Sequence, residues 1–82
     1  MGQAMSISIS QVRAARGLLG WSQSRLAEAA KLSLPTVKRY ESGVGVRVSQ
    51  EAILALHTAL QAAGIQFISS GEVSSGSGVT IR

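Results

Sequence analysis

The chain has 82 residues, of which 45% are hydrophobic, and a formal net charge of +4 at pH 7. This length allows one small domain, with a core so limited that association between chains would help to stabilise it. Because there is no cysteine, disulfides and cysteine-based metal or thiol sites are excluded. No apolar run approaches the roughly 20 residues of a membrane span, so we expect a cytoplasmic protein without membrane contact.

The first predicted helix follows a short N-terminal arm, residues 1–9. Ser10 is the candidate N-cap, and the apolar spacing predicts a helix to about Leu19. Gly20 ends the helix, and Trp21 is expected to enter the core. The positions expected to face inward are Val12, Ala15 and Leu18 or Leu19.

Two short helices and a tight joint are predicted for residues 22–43. Ser22 is a good N-cap for the first, which runs to about Ala30. Ser33 caps the second, whose first turn holds Pro35 and whose end is set by Gly43. Because only about three residues join them, the two helices must cross at a wide angle, which is the helix-turn-helix arrangement.

The second helix of this pair has two distinct faces. Val37 and Tyr40 can point inward with the turn residue Leu32, while Leu34, Pro35, Lys38 and Arg39 lie on the open side. A short helix with two adjacent cations on its open face fits the DNA major groove, which is about 12 Å wide. The positive charge of the chain is concentrated around these helices, which favours a polyanionic partner. The cations are Arg13, Arg16, Arg25, Lys31, Lys38, Arg39 and Arg47.

A longer scaffold helix is predicted from Gln50 to Ala63, with Ser49 as its cap and Gly64 as its stop. Its inward positions are expected to be Ile53, Leu56, Leu60 and Leu54 or Ala63. Beyond it, residues 65–68 and 79–82 have strand propensity and are separated by a Ser/Gly-rich stretch. These strands either pair with the same segment of a second subunit or form a frayed tail in which only residues 65–68 pack on the core.

Residues spread through the central motif resemble those of a known family. They are Ser22-Gln23, Leu26-Ala27 with Glu28, Leu32-Ser33, Pro35-Thr36-Val37 and Tyr40-Glu41-Ser42-Gly43. This pattern resembles the phage repressor (Cro/C1, or XRE-type) helix-turn-helix transcriptional regulators over roughly residues 10–64. The resemblance implies an all-α, compact four-to-five-helix lambda-repressor-like DNA-binding domain in residues 10–64, with the motif at 22–43. Residues 65–82 would then be a short C-terminal β-strand or hairpin extension, a possible dimerisation element.

The resemblance also implies roles for individual residues. Gln23 would hydrogen-bond a phosphate or brace a side chain of the next helix, and Arg16 and Glu41 would form a semi-buried ion pair. On the recognition helix, Arg39 can grip guanine or clamp phosphate, and Lys38 can serve as a point charge for either. The remaining DNA-binding candidates are Ser33, Leu34, Pro35 and Thr36 at the start of that helix and Arg47 in the loop after it.

The sequence therefore predicts a sequence-specific double-stranded DNA-binding transcriptional regulator, a homodimeric repressor or autoregulator on an inverted-repeat operator. The alternative is a helix-turn-helix fold that acts as a protein-interaction module, an anti-activator or antitoxin, because the Leu34-Pro35 tip and the strand-forming tail could both bind protein. His57 is the only histidine and has no cysteine beside it to share a metal. We accordingly expect no catalytic residues, no metal and no cofactor.

Overall fold

Four helices and a two-stranded antiparallel sheet form the structure, a computed structural model that describes residues 7–43, 48–68 and 78–81. This helical domain with a C-terminal hairpin is the expected fold. None of the helices among these residues is long and apolar enough to cross a bilayer. In chain order the elements are α1 (Ile9–Leu19), α2 (Gln23–Ala30), α3 (Leu34–Ser42), α4 (Gln50–Ala62), β1 (Ile65–Ile68) and β2 (Gly78–Ile81).

Helix α1 begins earlier than predicted. Its N-cap is Ser8 and not Ser10, and Ile9 is already helical. The Ser8 hydroxyl accepts the backbone N–H of Gln11, and the Gln11 side chain accepts the N–H of Ser8 in return, which completes a capping box. A glutamine stands three positions after Ser8, whereas Arg13 stands three positions after Ser10, so only Ser8 can form this reciprocal pair.

The joint between α2 and α3 is built as predicted. Ser22 and Ser33 cap the two helices, and each hydroxyl accepts a backbone N–H three residues on. Helix α2 ends at Lys31, which adopts a left-handed φ of 59°, and the N–H of Leu32 donates to the Ala27 carbonyl at 2.9 Å. This tight C-cap turns the chain within three residues, so that α3 can cross α2 at the surface of the domain.

The core lies where α1, α2, α3 and α4 meet, and β1 covers one end of it. Its largest fully buried side chains are Val12, Leu26, Val37, Leu56, Leu60 and Ile65. Two predicted alternatives are settled by burial. Leu19 packs against the core while Leu18 is 49% exposed. Of the alternatives Leu54 and Ala63, Leu54 is 64% exposed and Ala63 is partly buried, so Leu54 is excluded as an inward position. Trp21 is partly buried against the core, and the Arg25 guanidinium covers its ring at 4.6 Å in a cation–π contact.

The two strands pair with each other within one chain. Their register sets Ile65 opposite Ile81 and Ile68 opposite Gly78. The tail is therefore not frayed, and its strands form the hairpin extension that the family resemblance implies. Pairing of this segment with a second subunit stays a prediction. Ile65 is 1% exposed and Phe67 is 4% exposed, so the hairpin is a structural part of the core.

A buried side chain of α1 holds the hairpin in place. The Gln11 Nε2 donates to the carbonyls of Ile68 and Gly78, at 3.0 and 2.9 Å, and so bonds to both strands at the same step of the ladder. Its Oε1 accepts the N–H of Ser8 at 2.8 Å. All three polar bonds of this amide lie in a site only 5% exposed, which ties the start of α1 to residues 57 and 67 positions away.

Candidate nucleic-acid interface

The outer face of α3 carries the polar and cationic side chains of the central motif. Lys38 and Arg39 are exposed and Thr36 is partly exposed, whereas Val37 and Tyr40 on the opposite face are buried in the core. This division follows from the 3.6-residue period of the helix, which places Val37 and Tyr40 on one side and the cations on the other. The helix therefore presents a short cationic surface to solvent.

The first turn of α3 is stabilised by two hydroxyls. The Ser33 Oγ lies 2.7 Å from the Thr36 Oγ1 and also accepts the backbone N–H of Thr36 at 3.2 Å. Pro35, exposed at the start of the helix, has no N–H to leave unpaired there. Beside it Leu34 is partly buried, so the tip of the helix offers one apolar surface between polar neighbours.

Three helices are joined by a polar cluster on Glu41. The carboxylate accepts Arg16 Nε at Oε2 and Arg16 Nη2 at Oε1, both at 2.9 Å, and also accepts Gln23 Nε2 at 2.9 Å. The remaining Arg16 Nη1 donates to the Trp21 carbonyl at 3.0 Å. The Glu41 side chain is 4% exposed and that of Arg16 is 23% exposed. The ion pair implied by the family resemblance is thus present, and Gln23 braces it.

Tyr40, next to this cluster, is held in its neutral form. Burial of the phenol raises its pKa above the usual value, and the negative charge of Glu41 raises that pKa further. The ring is 6% exposed, as expected for a core residue at the inner face of α3. The recognition helix is therefore anchored by one neutral aromatic side chain and one paired carboxylate.

The cluster forms the floor of a polar cleft of about 470 Å³ between α1 and α3. Its lining residues are Arg13, Arg16, Gln23, Lys38, Glu41 and Ser42. Two DNA-binding candidates, Gln23 and Lys38, are therefore brought together at one opening. Arg47 lies outside the described residues, and no position is given for it.

Comparison with known protein families identifies the family to which this domain belongs. The model of the helix-turn-helix family HTH_3 matches residues 12–64, which is more than half of the chain and spans α1 to α4. The chain belongs to the Cro/C1-type (XRE) helix-turn-helix family. It is therefore a DNA-binding helix-turn-helix regulator domain, and α3 occupies the place of the second helix of the motif. No curated protein matches the chain significantly.

Two residues of this Cro/C1-type domain, Gln11 and Arg13, have positions that sequence reasoning missed, whereas His57 is partly packed on its helix. Gln11 clamps the hairpin, and its Ser-x-x-Gln spacing was a visible capping signal. Arg13 opens onto the cleft because it lies one turn before Arg16 on the same face of α1. His57 packs its ring 5.8 Å from that of Phe67, and its Nε2 is buried without a hydrogen-bond partner among the described residues.

Proposed function

We propose that this Cro/C1-type domain is a sequence-specific repressor or autoregulator that binds double-stranded DNA as a homodimer on an inverted-repeat operator. The observation that carries the proposal is the exposure of Lys38 and Arg39 together on the outer face of α3, whose inner face is fixed by Val37 and Tyr40. A helix anchored in this way enters the major groove without rearrangement of the domain.

Arg39 is the base-reading residue in this proposal, because its planar guanidinium can donate two hydrogen bonds to one guanine. Thr36 offers a hydroxyl and Pro35 an apolar contact at the tip, as would suit a thymine methyl group. Ser33 and Leu34 shape that tip. Lys38 and Gln23 contact the phosphates that position the helix, and Arg47, which follows α3 in the sequence, adds a phosphate contact.

Dimerisation supplies the second half-site, one helical turn or about 34 Å away along the DNA. Two exposed apolar side chains support a second copy of the chain as partner, Leu54 in α4 at 64% exposure and Ile81 in β2 at 46%. Sedimentation equilibrium of the full chain tests this. We expect a dimer that Leu54→Glu or Ile81→Glu weakens, and a wild-type chain that stays monomeric on operator DNA contradicts the proposal.

The DNA-binding proposal is tested by selecting bound duplexes from a random-sequence library and measuring affinity for the selected site. Lys38→Glu should abolish binding while circular dichroism stays unchanged, because this exposed side chain makes no hydrogen bond or ion pair within the described residues. Lys31→Glu is the matched control, since it makes the same charge change in the turn before α3. Failure to enrich any sequence, or equal loss in both variants, contradicts the proposal.

A further inference from the structure

The cleft above Glu41 has charges that its own ion pair does not use. Arg16 is already committed to Glu41 through two hydrogen bonds, and Gln23 takes a further position on the same carboxylate. Within the described parts of the chain, Arg13 and Lys38 line the same cleft, are exposed and make no ion pair. Three cations and one anion line the cleft, so it keeps a net positive charge that an anion would neutralise.

The helix geometry explains why Arg13 and Lys38 line the same cleft. Arg13 lies three residues before Arg16 on α1, and Lys38 lies three residues before Glu41 on α3. Residues three apart share one face of a helix, so the Arg16–Glu41 pair that joins the helices also sets Arg13 and Lys38 one turn away on the facing surfaces. The first residue of α2, Gln23, opens onto the same space, where the positive end of that helix adds to the field.

We propose that Arg13 and Lys38 together bind one backbone phosphate of the DNA duplex, with Arg13 as a contact that lies outside the helix-turn-helix motif. The proposal rests on the DNA-binding function proposed above. A phosphodiester oxygen accepts hydrogen bonds from a guanidinium and an ammonium group at the same time, and neither group has to leave an existing partner. The contact carries no sequence information, and it fixes the register of α3 in the groove.

The test measures binding to a mixed-sequence duplex of about 30 base pairs by fluorescence anisotropy over a range of salt concentrations. The variants are Arg13→Gln, Lys38→Gln, the double variant and Lys31→Gln, the last as a control that removes one charge from outside the cleft. Each phosphate neutralised by a protein contributes about 0.9 to the slope of log affinity against log salt. Sedimentation and thermal melting verify that all four variants keep the wild-type assembly and fold.

We expect Arg13→Gln and Lys38→Gln each to flatten the salt slope and Lys31→Gln to leave it close to wild type. Because both cleft residues bind the same phosphate, the double variant should make the slope of log affinity against log salt shallower by about 0.9 per bound chain. Its affinity near 0.1 M salt should fall about tenfold. Two separate phosphates would instead give about twice that slope change. The inference is overturned if the slope change of the double variant equals the sum of the two single changes, or if Arg13→Gln has the same slope as Lys31→Gln. Neither result would contradict the DNA-binding function. Absence of wild-type binding overturns both.

Discussion

Arg16 and Glu41 form a two-point ion pair in which the guanidinium spans both carboxylate oxygens at 2.9 Å. The pair joins α1 to the end of α3 and leaves the outward cations of α3 uncommitted. Because the Glu41 side chain is only 4% exposed, water cannot solvate its charge well, and the carboxylate depends on Arg16 to compensate it. The orientation of α3 therefore depends on Arg16 of α1 in addition to the burial of Val37 and Tyr40.

Removal of Arg16 should be costly. Arg16→Met leaves a buried carboxylate with only the Gln23 amide, and we expect it to lower the free energy of unfolding by about 3 kcal/mol in urea denaturation. The double variant Arg16→Met with Glu41→Leu removes both charges and should recover most of that loss. If the single variant loses less than about 1 kcal/mol, the pair does not hold the helices together.

The variant Gln11→Glu separates the capping role of this side chain from its role in holding the hairpin. A glutamate at this position would suit the capping box as well as glutamine does. In this fold, however, Gln11→Glu sets a carboxylate against the carbonyls of Ile68 and Gly78, where the amide now donates two hydrogen bonds. We expect Gln11→Glu to destabilise the protein by about 2 kcal/mol or more in urea denaturation, and by more than Ser8→Ala, which only removes the cap. Equal stability of Gln11→Glu and wild type would show that the amide does not hold the hairpin.

Acid should weaken the domain through His57. Burial lowers the pKa of this imidazole in the folded protein, whereas in the unfolded chain it titrates near 6.5. The unfolded state therefore binds the proton first, so the contribution of His57 is complete above about pH 6.5 and is lost as the pH falls below that value. Unfolding free energies at about pH 7.5 and 5.5 should differ more for wild type than for His57→Leu. The same difference in both proteins would contradict this.

Phe67 tests whether the hairpin belongs to the core. The ring is 4% exposed and packs against His57 of α4, so Phe67→Ala should cost about 3 to 4 kcal/mol of stability, measured by urea denaturation. Gln66→Ala is the matched control, because Gln66 lies on the exposed face of the same strand. A truncation at Gly64 would remove Ile65 and Phe67 together and is expected to unfold the domain. A stable, helical Phe67→Ala variant with wild-type urea midpoint would contradict these expectations.

The variant Arg39→Ala tests whether Arg39 contacts a base or contributes only general positive charge. Once the operator is selected, Arg39→Ala is expected to reduce discrimination between operator and scrambled DNA by about 1 to 3 kcal/mol, because a bidentate contact to guanine would be lost. Lys31→Ala, which removes one exposed charge from the turn before α3, should leave the affinities for both duplexes, and hence the discrimination, close to wild type. Gel shifts at two or more salt concentrations provide the comparison. Unchanged discrimination in Arg39→Ala would exclude it as a base reader.

Local signals predicted much of this fold because they act within one turn of chain. Ser22, Ser33 and Gly43 each cap a helix through neighbours three residues away, so their roles could be read directly from spacing. The burial of Val37 and Tyr40 followed from helix periodicity in the same way. Ser8 could have been found by the same logic, since Gln11 completes its capping box.

What the sequence did not predict depends on contacts between distant elements. Because a hairpin alone is marginal, the strands were expected either to pair with a second subunit or to form a frayed tail. The contacts of Gln11 and the burial of Ile65 and Phe67, which stabilise the hairpin within one chain, join elements far apart in the sequence and could not be predicted from local spacing. Arg13 was recognised only as a surface cation. Spacing alone places it on the same face of α1 as Arg16, but the cleft itself depends on how α1 and α3 cross, which the Arg16–Glu41 pair fixes.

The hydrogen bonds from Gln11 to the two strands also constrain the order in which parts of the domain can pack during synthesis. The Gln11 amide reaches carbonyl groups 57 and 67 positions further along the chain, which leave the ribosome long after α1 has emerged. Contacts of such wide sequence separation form late and slow the folding of a small domain. Until both strands have been synthesised, the Gln11 amide hydrogen-bonds to water, and α1 can take its final place against the hairpin only afterwards.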